Sequence, residues 1–127
     1  LGISSEEEWT APDLDLEVWG RPHLDYADYS PLAHPRQRST RWQIAAAHGH
    51  WVRNDGDRHR SWLIHDEEIA ATGADYIALG HWPGPGTAGD GSVPAYYSGS
   101  PDLAQTVNVV RLRDHGEVEV SRAPLAP

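Results

Sequence analysis

The residues with the most evident chemical potential are histidines that follow apolar stretches and adjoin glycines. One apolar run ends in the string His48-Gly49-His50, and a second ends in Gly80-His81. Imidazole is the commonest metal-binding side chain, and a neighbouring glycine lets the backbone turn close to an ion. His48 and His81 are therefore candidate metal ligands.

The remaining histidines have a simpler interpretation. The sequence contains eight histidines in 127 residues, so some must be scattered surface groups. Five lie in polar or proline-rich surroundings and are interpreted as such groups: His23, His34, His59, His65 and His115. Position and spacing alone leave two possibilities open for the other pair, a shared metal site or two unrelated structural side chains.

Two strands joined by a helix are needed to bring the candidate ligands together. Residues 41–47 and 74–79 are predicted as short buried strands. Residues 64–72 are predicted as the helix between them, with Asp66 as its N-cap and Gly73 just past its end. A strand, a helix and a second strand in that order predict a crossover and a parallel pair. Ligands and metals collect at the carboxyl ends of such strands.

The rest of the chain predicts a mostly stranded domain. Residues 13–20 alternate polar and apolar side chains, which predicts a strand that buries Leu14, Leu16 and Val18. The other predictions are a surface segment or helix start at 1–12, a loop at 23–38 with one helical turn at 25–29, loops at 51–60 and 83–92, a strand at 93–97, a tight turn at 98–101, a hairpin formed by 106–112 and 117–121, and a frayed tail at 123–127.

The amino-acid composition restricts which metals and which partners the protein can bind. Cysteine is absent, so a metal here would need histidine, carboxylate or amide ligands. Such ligands suit Mn, Fe, Zn or Ni. The formal charge of −9 disfavours a nucleic-acid partner, and no apolar run approaches the ~20 residues that span a bilayer. Because no secretory signal is evident, we expect a cytoplasmic protein without a membrane partner.

The order of these blocks carries a family resemblance. A strand ending in His48, a helix, Gly80-His81, another strand and the segment 97–101 follow one another along the chain. This order resembles the C-terminal half of the calcineurin-like metallophosphoesterases, and most of all the branch that includes DNA-repair exonuclease relatives. The resemblance runs from about residue 13 to residue 122. It implies an α/β (α+β) fold, the C-terminal portion of a four-layer αββα sandwich with mixed sheets and flanking helices.

The resemblance also implies roles for particular residues. His48 matches a lone strand-end histidine and His81 the first histidine of a G-H-x-H block, and in the family both bind the second of two metals. Ser98 and Ser100 lie in a segment that resembles the family's block bordering the pocket and are candidate substrate-binding residues. His50 has no required role in the family, but it lies two residues beyond His48 and is a candidate catalytic residue facing the pocket. The implied reaction is hydrolysis of a phosphoester by a hydroxide that two divalent ions activate, with Mn, Fe, Zn or Ni as the ions.

The sequence departs from the family pattern in two ways. Pro83 occupies the position of the last histidine in G-H-x-H, and the D-x-H, G-D and G-N-H-D/E blocks are missing upstream of His48. Residues 1–127 are therefore expected to be the C-terminal part of a single metallophosphoesterase domain whose N-terminal metal-binding half is absent. Such a chain is not expected to hydrolyse a substrate efficiently by itself, and it is expected to need that half, or self-association, to cover its apolar strands.

Three functions stay open on the sequence. The first is metal-dependent hydrolysis of a small phosphoester or a phosphodiester, with nucleic acid possible but disfavoured by the net charge. The second is a non-catalytic, degenerate relative that serves as a binding or scaffold module, which Pro83 favours. The third is an unrelated α/β domain with surface histidines.

Overall fold

The computed structural model of the protein describes residues 7–23, 30–60 and 62–126. Within these ranges there are ten strands, which are β1 (Glu7–Ala11), β2 (Leu16–Gly20), β3 (Trp42–His48), β4 (His50–Trp51), β5 (Leu63–Ile64), β6 (Tyr76–Gly80), β7 (Gly86–Ala88), β8 (Ala95–Tyr97), β9 (Thr106–Leu112) and β10 (Val118–Pro124). The same ranges contain α-helices α1 (Asp66–Thr72) and α2 (Pro101–Ala104) and 3-10 turns at Pro12–Leu14 and Asp55–His59. Neither described α-helix has the length and apolar character needed to cross a membrane.

A mixed sheet of six strands forms the centre of this part of the chain, in the order β1-β2-β3-β6-β8-β7. Strands β2, β3, β6 and β8 run parallel, while β1 and β7 pair antiparallel at the two edges. The hairpin β9–β10 and the short pair β4–β5 are two-stranded sheets of their own. The chain is therefore a mixed α+β protein built mostly from strands. The predicted parallel pairing of the two histidine-bearing strands is confirmed.

Helix α1 completes the crossover between β3 and β6 and packs into the main core. The predicted N-cap, Asp66, is wrong by one residue, because the helix begins at Asp66 and His65 precedes it as the cap. The Asp66 carboxylate instead accepts a hydrogen bond from the indole of Trp51 (2.6 Å), while Glu68 accepts one from the backbone N–H of His65 (3.0 Å). The predicted glycine end is confirmed, since Gly73 adopts the left-handed conformation with a φ of 57°.

The predicted inward face of β2 is wrong. Glu17 and Trp19 are buried, at 0% and 2% exposure, whereas Leu14 is 63% exposed and Leu16 and Val18 are half-buried. The parallel register of β2 against β3 turns the odd-numbered residues of β2 towards the main core. Alternation along a strand predicts that one face is buried, but a shift of one residue exchanges the two faces.

Burial of Glu17 is possible because the segment leading into β3 surrounds its carboxylate with donors. The backbone N–H and the hydroxyl of Ser39 donate to it at 2.8 Å each, and the Gln43 amide and the Arg36 guanidinium donate at 3.1 Å each. Burial raises the pKa of a carboxyl, but the hydrogen bonds from Ser39 and Gln43 outweigh this effect and hold the pKa of Glu17 below its usual value. The buried charge thus fastens this segment to the sheet.

Other boundaries also differ from the predictions. Part of the predicted N-terminal surface segment is β1, and the predicted frayed tail begins inside β10, whose pairing extends to Pro124. The predicted loops 51–60 and 83–92 contain a 3-10 turn and β7, respectively. The hairpin is confirmed. The helical turn predicted at residues 25–29 lies outside the described residues.

Substitution of Glu17 tests whether the face of β2 that carries Glu17 and Trp19 is the buried one. Glu17→Leu keeps a similar side-chain bulk but leaves the donors of Ser39, Gln43 and Arg36 without their acceptor, so we expect a loss of about 3–5 kcal/mol in the free energy of unfolding. The measurement is urea denaturation, with Glu119→Leu on the hairpin as the control because the Glu119 side chain is 42% exposed and paired with Arg113. Equal stabilities of the two variants would contradict the assignment of Glu17 to the core.

Candidate functional site

His48 and His81 lie at the carboxyl ends of the neighbouring strands β3 and β6. His48 is the last residue of β3 and pairs with Gly80, and His81 follows directly. Their ring centroids are 5.4 Å apart, and the ring planes stand 81° to each other. Imidazole nitrogens bind zinc at about 2.0–2.1 Å, which places two rings on one ion with centroids roughly 4.5–5.5 Å apart. The observed separation therefore fits two ligands of a single ion.

Two glycines make this arrangement possible. A Cβ atom on Gly80 would lie 3.2 Å from Nδ1 of His48, so the missing side chain leaves room for that ring. A Cβ atom on Gly49 would lie 2.4 Å from the carbonyl oxygen of Trp62, a distance that real Cβ contacts essentially never reach. The glycine between His48 and His50 is therefore required by the close approach of another backbone segment.

His81 is held in a strained backbone conformation. Its φ is 130°, in a region that a residue with a Cβ atom rarely occupies. His81 is only partly covered by its neighbours, and this partial burial lowers the pKa of its imidazole; the nearby His48, His50 and Arg60 lower it further. A neutral imidazole has a lone pair to offer to a metal ion, and strained residues cluster at functional sites. Both features distinguish His81 from an ordinary surface histidine.

His50 lies beside the pair, with its ring centroid 5.5 Å from that of His81. Its side chain is buried, and both of its ring nitrogens have protein neighbours. Nε2 lies 3.0 Å from Oδ1 of Asp57, and the indole N–H of Trp82 donates to Nδ1 at 3.4 Å. Both nitrogens thus lie close to protein groups, although the contact of Nε2 with Asp57 lacks hydrogen-bond geometry, and a catalytic role for His50 stays a prediction.

The predicted substrate-binding serines follow β8. The hydroxyl of Ser98 accepts a hydrogen bond from the backbone N–H of Asn108 (3.1 Å), which directs it towards the hairpin β9–β10. Ser100 precedes α2, and its backbone N–H donates to the carbonyl of Pro83 (2.9 Å), two residues beyond His81. Ser100 is thus tied to the loop that carries a candidate ligand. Contact with a substrate stays a prediction for both serines.

His23 belongs to this cluster, although the sequence interpretation treated it as a surface group. Its ring contacts the carbonyl oxygen of His48 and lies 3.8 Å from the ring of Trp62, measured between centroids. Burial lowers the pKa of its imidazole. His23 follows β2, which pairs in parallel with β3. The rule that located the other histidines would have located His23 too, if β2 had been recognised as a parallel strand.

Arginines approach the site from three segments of the chain. Arg21 and His48 line an open groove of about 270 Å3 together with several small residues. Arg60 lies close enough to His81 to lower its pKa, and Arg53 lies over the indole next to His81, 5.1 Å from the ring centroid. Arg53 also pairs with Asp57 at 3.9 Å, so Arg21 and Arg60 supply the local positive charge that favours an anionic ligand in a chain with a net charge of −9.

The described residues do not supply a complete metal site. Within 7–23, 30–60 and 62–126, no three or more His, Asp or Glu side chains form a group that could hold a metal ion. Catalytic zinc sites commonly use three protein ligands and keep one position open. The pair formed by His48 and His81 therefore fits as part of a site and needs at least one further ligand.

Replacement of His81 separates the backbone strain from the imidazole. Both His81→Gly and His81→Ala remove the ring, but only glycine accepts a φ of 130° without steric penalty. We expect His81→Gly to exceed His81→Ala by about 1 kcal/mol in the free energy of unfolding, measured in urea.

The matched control is Ala78→Gly on β6, the strand that His81 follows, where the backbone is regular. That change is expected to lower the free energy of unfolding by about 0.5–1 kcal/mol. A His81→Ala variant as stable as His81→Gly would contradict the strained conformation.

Comparisons with known proteins leave the family open. No protein-family model matches the sequence, and no curated protein is significantly similar to it. The resemblance to metallophosphoesterases therefore rests on the short residue blocks of the sequence. The geometry of His48 and His81 is an observation independent of that resemblance.

Proposed function

We propose that this chain takes part in metal-dependent hydrolysis of a phosphoester, with His48 and His81 as two ligands of one divalent ion. The observation that carries the proposal is their placement on adjacent strand ends with ring centroids 5.4 Å apart. The absence of sulfur ligands makes Mn, Fe, Zn or Ni the candidate ions, with two ions in a complete site. A bound ion would neutralise the negative charge that builds up on phosphoryl oxygens during hydrolysis.

The substrate in this proposal is an anion, and the charges near the site support that choice. Arg21 lies in the groove beside His48, and Arg60 lies near His81. These guanidinium groups would attract and orient a phosphoryl group as it approaches the histidine pair. A small phosphoester or a phosphodiester suits the overall charge of −9 better than duplex nucleic acid, which normally needs a broad basic surface.

A complete site needs more than these residues. In the proposal, the remaining ligands come from the N-terminal half of a metallophosphoesterase domain, or from another copy of the chain. The main sheet has a face that such a partner could cover, because Val18 and Ile44 are only half-buried and Ala78 is exposed there. Covering that face with a second sheet would produce the four-layer sandwich. We propose a cytoplasmic location for the assembled enzyme and only slow hydrolysis by the chain alone.

A non-catalytic binding or scaffold module is the second candidate function. Two observations favour it: Pro83 stands where the family has its last histidine, and both ring nitrogens of His50 lie close to protein groups. Such a module would keep the fold of the strands and lose the metal.

Binding of Mn²⁺, followed by NMR, tests the proposal and separates it from this alternative. Paramagnetic Mn²⁺ broadens the signals of nuclei close to its binding site. We expect the imidazole signals of His48 and His81 to broaden at substoichiometric Mn²⁺, and His48→Ala to abolish the broadening at His81. His115 serves as the internal control because its side chain is 70% exposed on the hairpin turn.

A hydrolysis assay completes this test. With Mn²⁺ present, hydrolysis of bis(p-nitrophenyl) phosphate should be slow but above the protein-free rate, and it should fall to that rate in His48→Ala while His115→Ala retains it. Broadening of His115 as strong as that of His48, or no broadening at all, would contradict the metal site and support the scaffold module.

A further inference from the structure

A series of three neighbouring side chains, of which two are buried and the third is half-buried, lies beside the candidate metal ligands. Asp57 and His50 are 9% and 6% exposed, and Oδ1 of Asp57 lies 3.0 Å from Nε2 of His50. On the other side of the ring, Nδ1 of His50 accepts the indole N–H of Trp82 at 3.4 Å. Trp82 is the residue after His81. These three side chains therefore connect the buried carboxylate of Asp57 to the backbone next to His81, a candidate metal ligand.

The Trp82 indole and the Asp57 carboxylate together favour one tautomer of His50. An indole N–H can only donate a hydrogen bond, and an ionised carboxylate can only accept one. Asp57 stays ionised because the hydrogen bond from the backbone N–H of Arg53 and the contact with His50 lower its pKa to about 2. Because Nδ1 accepts the indole N–H, a neutral His50 carries its hydrogen on Nε2, the nitrogen that lies 3.0 Å from Oδ1 of Asp57. In the opposite tautomer, the Nδ1 hydrogen would face the Trp82 indole hydrogen.

Packing of Trp82 against Tyr97 fixes the end of this series of side chains that lies away from Asp57. The ring of Trp82 stacks on the ring of Tyr97, with centroids 4.2 Å apart and planes 11° apart. The Tyr97 hydroxyl donates to the carbonyl of Gly49 at 2.8 Å and accepts from the backbone N–H of Trp51 at 3.0 Å. Gly49 and Trp51 are the two chain neighbours of His50. The indole and the imidazole are thus held against each other from two directions.

We propose that Asp57 and His50 are positioning residues for His81. Asp57 selects the tautomer of His50 that accepts the Trp82 indole, and this acceptor holds the start of the loop after β6. The loop in turn keeps His81 in its strained conformation, with the ring facing His48. His50 therefore acts through Trp82 and does not itself touch the substrate.

This positioning role goes beyond the proposed function. It rests on the proposed function only where metal affinity is measured. A partner that orients a metal ligand typically changes metal affinity by about 10–100-fold when it is mutated. The conformation of His81 is defined without any ion, so the positioning role can be tested on the protein alone. The two proposals can thus fail separately.

The first experiment is long-range 1H–15N NMR of the imidazoles in the 15N-labelled full chain at neutral pH. The signals of His50 are assigned by their loss in His50→Gln. We expect a protonated Nε2 and an unprotonated Nδ1 in the wild-type protein, and a mixture of tautomers in Asp57→Ala. A protonated Nδ1 in the wild-type protein, or an unchanged pattern in Asp57→Ala, would overturn the proposal.

The second experiment compares two replacements of His50. Glutamine can donate to Asp57 through its amide N–H2 and accept from Trp82 through its carbonyl, whereas leucine has a similar size and can do neither. We expect His50→Gln to keep the imidazole signals of His81 near their wild-type positions and His50→Leu to shift them. For Mn²⁺, we expect His50→Gln to stay within about threefold of wild-type affinity and His50→Leu to lose about tenfold or more.

The outcomes distinguish the two proposals. Shifted His81 signals in His50→Leu, together with no Mn²⁺ binding by any protein, would support the positioning role and remove the metal site. His81 signals and Mn²⁺ affinity that are the same in His50→Leu as in the wild-type protein would overturn the positioning role even if the metal binds. A His50→Gln variant that behaves like His50→Leu would also overturn it, because the hydrogen-bond pattern would then not be what matters.

Discussion

The parallel pairing of β3 with β6 is the constraint on which the rest of the structure depends. Its register sets His48 opposite Gly80, so that the imidazole occupies space that a side chain at position 80 would restrict. A slip of one residue would turn His48 to the opposite face of the sheet. A parallel pair also requires a long crossover, and here that crossover carries β4, the 3-10 turn at Asp55–His59, β5 and α1. The groups that support the site therefore come from the connection that the pairing itself demands.

Two buried carboxylates tie loops to opposite ends of this sheet. Glu17, near the start of β2, accepts hydrogen bonds from Ser39 and Gln43, and Asp57 accepts hydrogen bonds from the backbone of Arg53 and lies against His50 at the carboxyl end. A buried carboxylate is tolerated only when donors surround it. Each therefore fixes the conformation of its loop more tightly than apolar contacts would. At the carboxyl end, Asp57 thereby holds the 3-10 turn against His50.

Local sequence patterns predicted those strands, helix ends and turns whose structure is determined by the residues within them. Strands β3 and β6 follow from short apolar runs with glycine at their ends, the end of α1 follows from Gly73, and the hairpin follows from two apolar segments around a polar turn. The face of β2 could not be predicted in the same way, because the donors that allow Glu17 to be buried lie about twenty residues further along the chain.

The site was predictable in outline but not in its supporting contacts. His48 and His81 follow from their positions after strands. His23 was missed because β2 was not recognised as a third parallel strand. The partner of His50 was missed because Asp57 reaches it only when the 3-10 turn folds back, which leaves no periodic signal in the sequence. Tautomer and strain are likewise properties of tertiary contacts and of φ, and residue types alone do not reveal them.

A crystal of this chain soaked in Mn²⁺ tests the central claim most directly, through the position of the anomalous scattering peak. If His48 and His81 share an ion, one peak will lie between their rings, about 2.0–2.3 Å from a nitrogen of each. The further ligand will be water, a residue of a neighbouring copy or added phosphate. Peaks only at exposed side chains such as His115, with none between His48 and His81, would contradict the claim that this pair is a metal site.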